Sequence, residues 1–427
     1  MNRVVLRVAA LTLALASGLM ATPAVAADAA GPLSLKGAVA TALSRQPAIL
    51  ASRLAARVAE VSVRQAETNR MPVLSASGGL GHGSALGLPS SAPGLNAHQT
   101  QLTLSQPLYN PQQLVDAHRL ASLAQRSSEA SERQTRLTVA YATANAYVEL
   151  LMAQELLVAA KLDVEQADKQ VAIAQEQAKG QVGTMYQVLS AQSTLAQAHD
   201  AYVRALDGIH QARQSLEASM GESLGDRPIE ATFALQDFSI APEQIALALE
   251  NRPDLQELQI SREIQEATAE QAAHALLPSV SALGSSSLAM AGGLQYSLGL
   301  TASWAMFDGG RSRVQVEGAR LAAEQVQASL EARRLQARHQ IMSALQSYRT
   351  AQQRVSITQQ GLKTAIDTLT ISQVRFEAGV GTSLEVITAL TSLNGFQVSY
   401  VQARYGVIRA QLSLAQAMGI PLTELLP

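Results

Sequence analysis

Histidine and cysteine are the side chains most often used for metal binding and nucleophilic catalysis, and this chain uses them sparingly. It contains no cysteine, and none of its seven histidines stands in an H-x-x-x-H or HExxH arrangement. Nucleophile-elbow and Walker motifs are also absent. We therefore predict no catalytic residues, metal ligands or cofactor within one chain, whereas a metal site assembled from several chains stays open. The histidines are His82, His98, His118, His199, His210, His274 and His339.

A hydroxyl followed three residues later by a carboxylate or an amide occurs in two matching segments. Thr382 precedes Glu385, and Thr184 precedes Gln187, each directly after a Val-Gly pair. This spacing is typical of a capping box, in which the two side chains satisfy the first N–H groups of a helix. The sequence therefore predicts a helix start at both places, each after a glycine-rich turn that ends the previous helix.

These two segments belong to a repeat of the whole chain. Pro47 and Pro72 recur 206 positions later as Pro253 and Pro278, and "VGTMYQVLSAQSTL" recurs 198 positions later as "VGTSLEVITALTSL". Each copy reads helix, strand, loop, strand, very long helix, tight turn, helix. The first repeat is predicted at 27–240, with strands at about 72–86 and 98–108 and helices at about 111–179 and 184–219. The second is predicted at 241–427, with strands at about 278–290 and 294–307 and helices at about 309–378 and 383–419.

The long helices are predicted to form coiled coils. In the first, apolar residues with one charged exception follow a spacing of four and three residues, and Asn110 and Asp308 are placed to cap the two helix starts. About 70 residues at roughly 1.5 Å each extend about 100 Å, which no compact domain of this mass does. The seam residues are Leu137, Tyr141, Ala144, Val148, Leu151, Glu155, Val158 and Leu162.

The N-terminus indicates export. Two arginines precede the apolar run "VAALTLALASGLM", and Ala24-Val25-Ala26 is typical of a cleavage site, so residues 1–26 are predicted to be a signal peptide. The run is shorter than the roughly 20 residues needed to span a bilayer. The formal charge of −2 becomes −4 without this segment, since it holds two arginines and no acid. No basic tract remains, which argues against a nucleic-acid partner.

The predicted strands alternate apolar and small or polar residues. The pattern runs from Leu294 to Met306, with aromatic residues near both ends. A strand that faces lipid needs this alternation, about 9 to 11 residues, and a closed barrel in which no backbone group stays unpaired. Four strands per chain are too few for a closed barrel, so several chains must share one. The residues predicted to face lipid are Leu294, Tyr296, Leu298, Leu300 and Trp304.

Three sets of motifs resemble the TolC-type outer-membrane efflux proteins. These are the strand-to-helix joins "QPLYNPQQLVDAHRLAS" and "ASWAMFDGGRSRVQVEGAR", the two proline-marked strand starts, and the turn "RFEAGVGTSLEVITALTSL". The resemblance implies a mainly α fold with transmembrane β-strands, in which a homotrimer shares a 12-strand barrel continued by a coiled-coil periplasmic tunnel. It also implies a passive exit duct that meets outer-membrane lipid and serves an inner-membrane pump through a periplasmic adaptor. The absence of cysteine places the chain in the non-lipidated branch.

The resemblance also implies roles for residues at the two tight turns. Glu385 matches an acidic position at the closed periplasmic mouth, where one copy per chain would form a charged ring, and Thr388 stands one turn further on. Gln187 and Ser190 are the alternative constriction residues in the first repeat. The turns themselves are expected to contact the adaptor: Val182, Gly183, Thr184, Val380, Gly381 and Thr382.

A second class of function stays open from the residues alone. An exported soluble coiled-coil scaffold or adhesin could use the same long helices for binding, with its strands packed on each other in water. Detergent dependence separates this alternative from a membrane duct. The transported substrate is not encoded in any pattern of the sequence.

Overall fold

The computed structural model describes residues 31–82, 96–181, 183–225, 227–230, 248–289 and 293–425. The predicted signal peptide lies outside these ranges, as do residues 83–86 of the first predicted strand. The described residues form the following elements: α1 Leu35–Arg45, α2 Pro47–Thr68, β1 Val73–His82, β2 Asn96–Tyr109, α3 Ala117–Lys179, α4 Met185–Met220, α5 Pro253–Ala273, β3 Ser279–Ala289, β4 Gly293–Ser303, α6 Arg311–Glu377 and α7 Ser383–Met418.

The predicted repeat is present in the fold. The order α2, β1, β2, α3, α4 recurs as α5, β3, β4, α6, α7. Helix α3 packs between α2 and α5, and α5 packs on α6, so the long helices lie side by side in the same order as the strands above them. Helices α4 and α7 pack back against α3 and α6, respectively.

The four strands form one antiparallel sheet in the order β1-β2-β3-β4. Leu104 is the central residue of one cross-strand row, since it pairs with Leu74 on β1 and with Gly284 on β3. Gly284 pairs in turn with Leu298 on β4. Residues directly opposite one another in such a ladder lie on the same face. Strands β1 and β4 are the edges of the sheet, and each offers unpaired backbone groups to another chain.

Strand β4 is shorter than predicted, and this corrects the assignment of Trp304. The strand ends at Ser303, which pairs with Ser279 at the start of β3. Before Ser279 the chain forms the 3-10 turn His274–Leu276, so residues after Ser303 have no partner on the β3 side in the described part of the chain. Trp304 therefore lies just beyond the strand, where its indole N–H donates to the carbonyl oxygen of Leu276 at 2.9 Å.

Both long helices begin later than their predicted ranges, and their starts are capped in two different ways. Helices α3 and α6 contain 63 and 67 residues and extend about 95 and 100 Å. Asn110 accepts the N–H of Gln113 at 3.1 Å, ahead of a π-helical turn that leads into α3. Helix α6 begins later than predicted because Gly310, at φ 88°, occupies the N-cap. Asp308 still accepts the N–H of Ser312 at 2.8 Å, from two residues before that position.

The main core lies midway along the helices, where α1, α3, α4 and α7 meet. Tyr147 is fully buried there, and its hydroxyl lies 2.8 Å and 2.7 Å from the carbonyl oxygens of Leu33 and Glu230. Burial, helped by the nearby Glu230 carboxylate and partly opposed by the backbone hydrogen bond to Glu230, raises the pKa of Tyr147 to about 12. The phenol therefore stays protonated and can keep donating.

The predicted seam of α3 is buried only in its first half. Within one chain, Tyr141, Ala144, Val148 and Leu151 are buried, whereas Val158 and Leu162 are exposed. A straight helix drifts by about 20° per heptad relative to a strict seven-residue repeat, so later seam positions rotate out of the contact. Polar contacts to α7 replace them, including Glu155, which accepts from the hydroxyl of Tyr405 at 2.9 Å.

Candidate functional site

One face of the sheet is apolar and exposed. Because opposite residues share a face, the register brings leucines of β1, β2 and β4 and the ring of Tyr296 to the same side. A methyl group on Gly284 would lie 3.6 Å from the Leu298 side chain and 3.8 Å from Leu104, so these two leucines flank the glycine. Tyr296 and Leu298 are each 86% exposed. The apolar face comprises Leu74, Leu102, Leu104, Val280, Leu294, Tyr296, Leu298 and Leu300.

The opposite face of the sheet is built from serine, glutamine and threonine. Ser297 of β4 pairs with Ser285 of β3, and their hydroxyl oxygens are 2.8 Å apart. Val73, Pro107 and Leu283 are apolar residues on this face, and Gln106 and Ser286 are polar residues on the apolar face. An apolar face backed by a polar one fits a sheet that has lipid on one side and water on the other. The polar residues are Ser75, Ser77, Gln101, Thr103, Ser105, Ser279, Ser281, Ser285, Ser287, Gln295, Ser297 and Thr301.

The turn between α3 and α4 contains a complete capping box. The N–H of Thr184 donates to the amide oxygen of Gln187 at 2.8 Å, and the N–H of Gln187 donates to the Thr184 hydroxyl at 3.4 Å. Gly183 precedes them, Ser190 lies half-buried in the next turn of α4, and Val182 lies outside the described residues. The amide of Gln187 is therefore occupied by the helix start.

The matching turn between α6 and α7 contains only half of the predicted capping box, which corrects that part of the prediction. Thr382 accepts the N–H of Glu385 at 3.3 Å, but the carboxylate of Glu385 makes no return bond to the Thr382 backbone. A carboxylate loses more hydration than an amide does when it turns inward, which favours leaving it in water. Glu385 and Thr388 are both exposed in the single chain, and the charge of Glu385 is not used by the cap.

Two glycines allow these turns to be tight. A methyl group on Gly381 would lie 2.9 Å from the Phe376 nitrogen and 3.0 Å from the Arg375 carbonyl carbon. On Gly183 it would lie 3.0 Å from the Cβ of Gln177. The atoms that a methyl group on Gly381 would contact belong to the backbone and cannot move aside as a flexible side chain could. The two helices can therefore approach this closely only with glycine at this position.

Exposed apolar side chains surround both turns, and most were not predicted. Met185, Tyr186 and Leu189 in α4 and Val380 and Leu384 beside the second turn are all exposed. A visible signal existed, because "MY" and "SL" put apolar residues in the first turn of a helix, where polar residues are preferred. The helical end of the molecule therefore presents an apolar contact surface.

Other site classes find no residues in the described part of the chain. None of the helices there combines the length and the apolar character that a membrane crossing requires. No group of three or more histidine, aspartate or glutamate side chains in the same residues could hold a metal ion. The exposed apolar face of the sheet and the exposed apolar residues at the two turns are therefore the candidate functional surfaces.

Comparison with known families gives one match that covers most of the chain. The family model for outer membrane efflux proteins matches residues 38–222 and 244–420, one segment for each repeat. No curated protein matches the chain significantly.

Solved structures with the same fold cover almost the whole chain. The structure of CusC, described in terms of folding and transmembrane channel formation, has a TM-score of 0.82 at 19% identity and covers 92% of this chain and 95% of its own. The outer membrane protein VceC of Vibrio cholerae has a TM-score of 0.76 at 21% identity, with 90% and 96% covered. The CmeC outer membrane channel of Campylobacter jejuni has a TM-score of 0.79 at 19% identity, with 90% and 85% covered.

Proposed function

The chain belongs to the outer membrane efflux protein family, and on that premise we propose that it is a passive exit duct through the outer membrane. Three copies share one barrel of twelve strands, four from each chain, above a tunnel of long helices in the periplasm. The duct performs no reaction. Its energy comes from an inner-membrane pump that is joined to it by a periplasmic adaptor, in efflux or in type I secretion.

The two-faced sheet is the observation that carries this proposal. Its apolar face is exposed on a single chain, and a patch of that kind marks a contact with lipid or protein. Both sheet edges are open, and a membrane barrel needs about eight strands at least, so one chain cannot close it. A scaffold or adhesin in water would bury the apolar face against other strands, and family membership favours the duct.

Reconstitution tests the proposed function. The full chain, expressed in a Gram-negative host, is expected in the outer-membrane fraction, as an unheated oligomer in SDS, and as a conducting pore in planar lipid bilayers. Detergent should be needed to keep it monodisperse. A chain that stays monodisperse in buffer without detergent would instead support the exported scaffold or adhesin.

The adaptor is proposed to meet the exposed apolar residues of the two turns. Tyr186, Leu189 and Leu384 lie just inside α4 and α7, next to glycines that hold the turns in a fixed shape. A helical hairpin of a partner can cover such residues at its own apolar tip. The turn residues Gly183, Thr184, Val380, Gly381 and Thr382 would lie in this contact, together with Val182.

Glu385 is proposed to form a charged ring at the periplasmic mouth. The support is that its carboxylate is exposed and not used by the helix cap, whereas Gln187 at the matching position is bound to Thr184. Three such carboxylates near one axis would favour cations in the closed pore. Thr388 lies one turn along the same helix and adds no charge to the ring.

Replacing Glu385 with glutamine tests the ring separately from the helix start. We expect Glu385→Gln to weaken cation selectivity and block by multivalent cations in planar bilayers, because the ring loses its charge. Thermal stability should be nearly unchanged, since the Thr382 cap uses the Glu385 backbone and an amide can add the bond seen in the other repeat. Glu377→Gln, an exposed acid at the end of α6, is the matched control and should leave selectivity unchanged. Parental selectivity in Glu385→Gln would move the constriction to Gln187, Ser190 or Thr388.

A further inference from the structure

The seam between α3 and α5 is a regular ladder of charge with an apolar centre. Arg119 binds Glu270, and Arg126 binds Glu263 at 3.1 Å. The two arginines are seven residues apart on α3, and their glutamate partners are seven residues apart on α5, in the opposite chain direction. Between the charges, Leu123 and Ala130 pack with Ile260 and Ala267, and all four are buried.

The internal repeat identifies a second pair of faces with the same design. Helix α6 corresponds to α3 with a shift of 198 positions, and α2 corresponds to α5 with a shift of 206. Leu123 is 6% exposed and its equivalent Leu321 is 58% exposed; Ile260 is 6% exposed and its equivalent Leu54 is 49% exposed. The outer faces of α6 and α2 are thus apolar like the inner seam, but they have no partner in the described part of one chain.

The charges on these outer faces are the reverse of those in the inner seam. Arg119 and Arg126 of α3 correspond to Glu317 and Glu324 of α6. Glu270 and Glu263 of α5 correspond to Arg64 and Arg57 of α2. All four equivalents are exposed and keep the spacing of seven. The α6 face is therefore acidic where the α2 face is basic, and the two faces are complementary in both charge and apolar pattern.

We propose that α6 of one copy packs on α2 of the next, through a charge-reversed version of the α3–α5 seam. Glu324 of one copy then faces Arg57 of its neighbour, and Glu317 faces Arg64. This inference deepens the proposed function and rests on it, because it assumes that several copies close one duct. Helix α2 leads into β1 and α6 follows β4, so this contact continues the pairing of the two open sheet edges.

The reversed charges select the correct neighbour. Exposed ion pairs contribute little to stability, so the apolar rows Leu54, Val61, Leu321 and Ala328 supply most of the contact. The α3 and α5 faces already cover each other, so only the α2 and α6 faces are left for a neighbouring copy. Like charges penalise the symmetric pairings of these faces, since the arginines of one α2 repel those of another and the glutamates of one α6 repel those of another. The remaining contact joins α6 of one copy to α2 of the next, which gives head-to-tail order around the ring.

Engineered disulfides test the contact directly, because the native chain has no cysteine to interfere. Ala130 lies at the level of Ile260 in the inner seam, between the contacts of Arg126 with Glu263 and of Arg133 with Gln256. By equivalence, Ala328 faces Leu54 of the next copy. Leu54→Cys/Ala328→Cys in outer-membrane fractions is expected to give covalent dimers and trimers on non-reducing gels. Leu54→Cys/Ser329→Cys is the matched control, since Ser329 points about 100° away around α6, and it should remain largely monomeric in denaturing gels.

Charge reversal tests the ladder. Glu324→Arg and Arg57→Glu alone should each lower the temperature at which the unheated oligomer dissociates, and the double variant should recover it. An intact oligomer without the Leu54→Cys/Ala328→Cys cross-link, or single reversals with the parental dissociation temperature, would overturn the inference and leave the duct standing. A parental chain that is monomeric in detergent would overturn the shared duct itself.

Discussion

Leu298→Arg is expected to deplete the protein from the outer membrane, whereas Ser297→Arg is expected to assemble. Leu298 lies on the apolar face beside Gly284, and Ser297 lies on the polar face against Ser285. An arginine at the lipid face of the proposed barrel costs about 2 to 4 kcal/mol per chain near mid-membrane, and each copy in the barrel would carry one. On the other face the arginine would reach water in the proposed pore.

The pair is a matched control because the two positions are adjacent and receive the same side chain. The measurement is the amount of heat-modifiable oligomer in outer-membrane fractions, normalised to total expressed chain. Equal amounts of the two variants would mean that the two faces of the sheet do not differ in solvent, which would contradict the assignment of Leu298 to lipid. A lower amount for Ser297→Arg than for Leu298→Arg would mean that they are reversed.

Arg252→Ala is expected to destabilise the helical part by about 3 to 5 kcal/mol, the usual effect of removing one partner of a buried ion pair. Arg252 is buried at the start of α5, where two of its nitrogens bind Asp254 at 3.0 and 2.8 Å. A third nitrogen donates at 2.6 Å to the carbonyl oxygen of Ala417, near the end of α7. The substitution leaves both the Asp254 carboxylate and that carbonyl without their main partner.

The measurement is the midpoint of urea or thermal unfolding of the detergent-solubilised protein, followed by circular dichroism. Arg333→Ala is the control, because Arg333 also binds Asp254 at 3.0 Å but is more exposed, so it should cost less. Two equally mild variants would show that the buried cluster contributes little to stability.

The same cluster predicts a pH dependence. Burial alone would raise the pKa of Asp254, but the hydrogen bond from Arg252 and the charges of Arg252 and Arg333 outweigh it and hold the pKa below its usual range. The resulting stability is present above the unfolded pKa and is lost as pH falls through the folded one. When the pH is lowered from neutral to strongly acidic, the free energy of unfolding should therefore fall less for Arg252→Ala than for the parent.

Much of this architecture is encoded locally and was therefore predictable. Helix ends at Asn110 and Thr184 depend on side chains that bond backbone groups three residues away, and the sheet faces depend on an alternation visible along β4. The internal repeat was visible because its landmark residues keep a constant spacing. Each of these features could be recognised because the residues that define it are close together in sequence, or because the same residues recur in the second repeat.

The remaining features depended on partners that are distant in sequence. Strand β4 stops at Ser303 because β3 begins at Ser279, and Arg252 is a buried anchor because Ala417 lies beside it. Val158 is exposed in one chain because successive heptad positions of a long, straight helix rotate gradually away from the neighbouring helix. The sequence by itself determined which elements form and which of their faces are apolar. Only the tertiary structure decided which of those faces are already covered within one chain, since burial depends on where α3, α5 and α6 lie relative to one another.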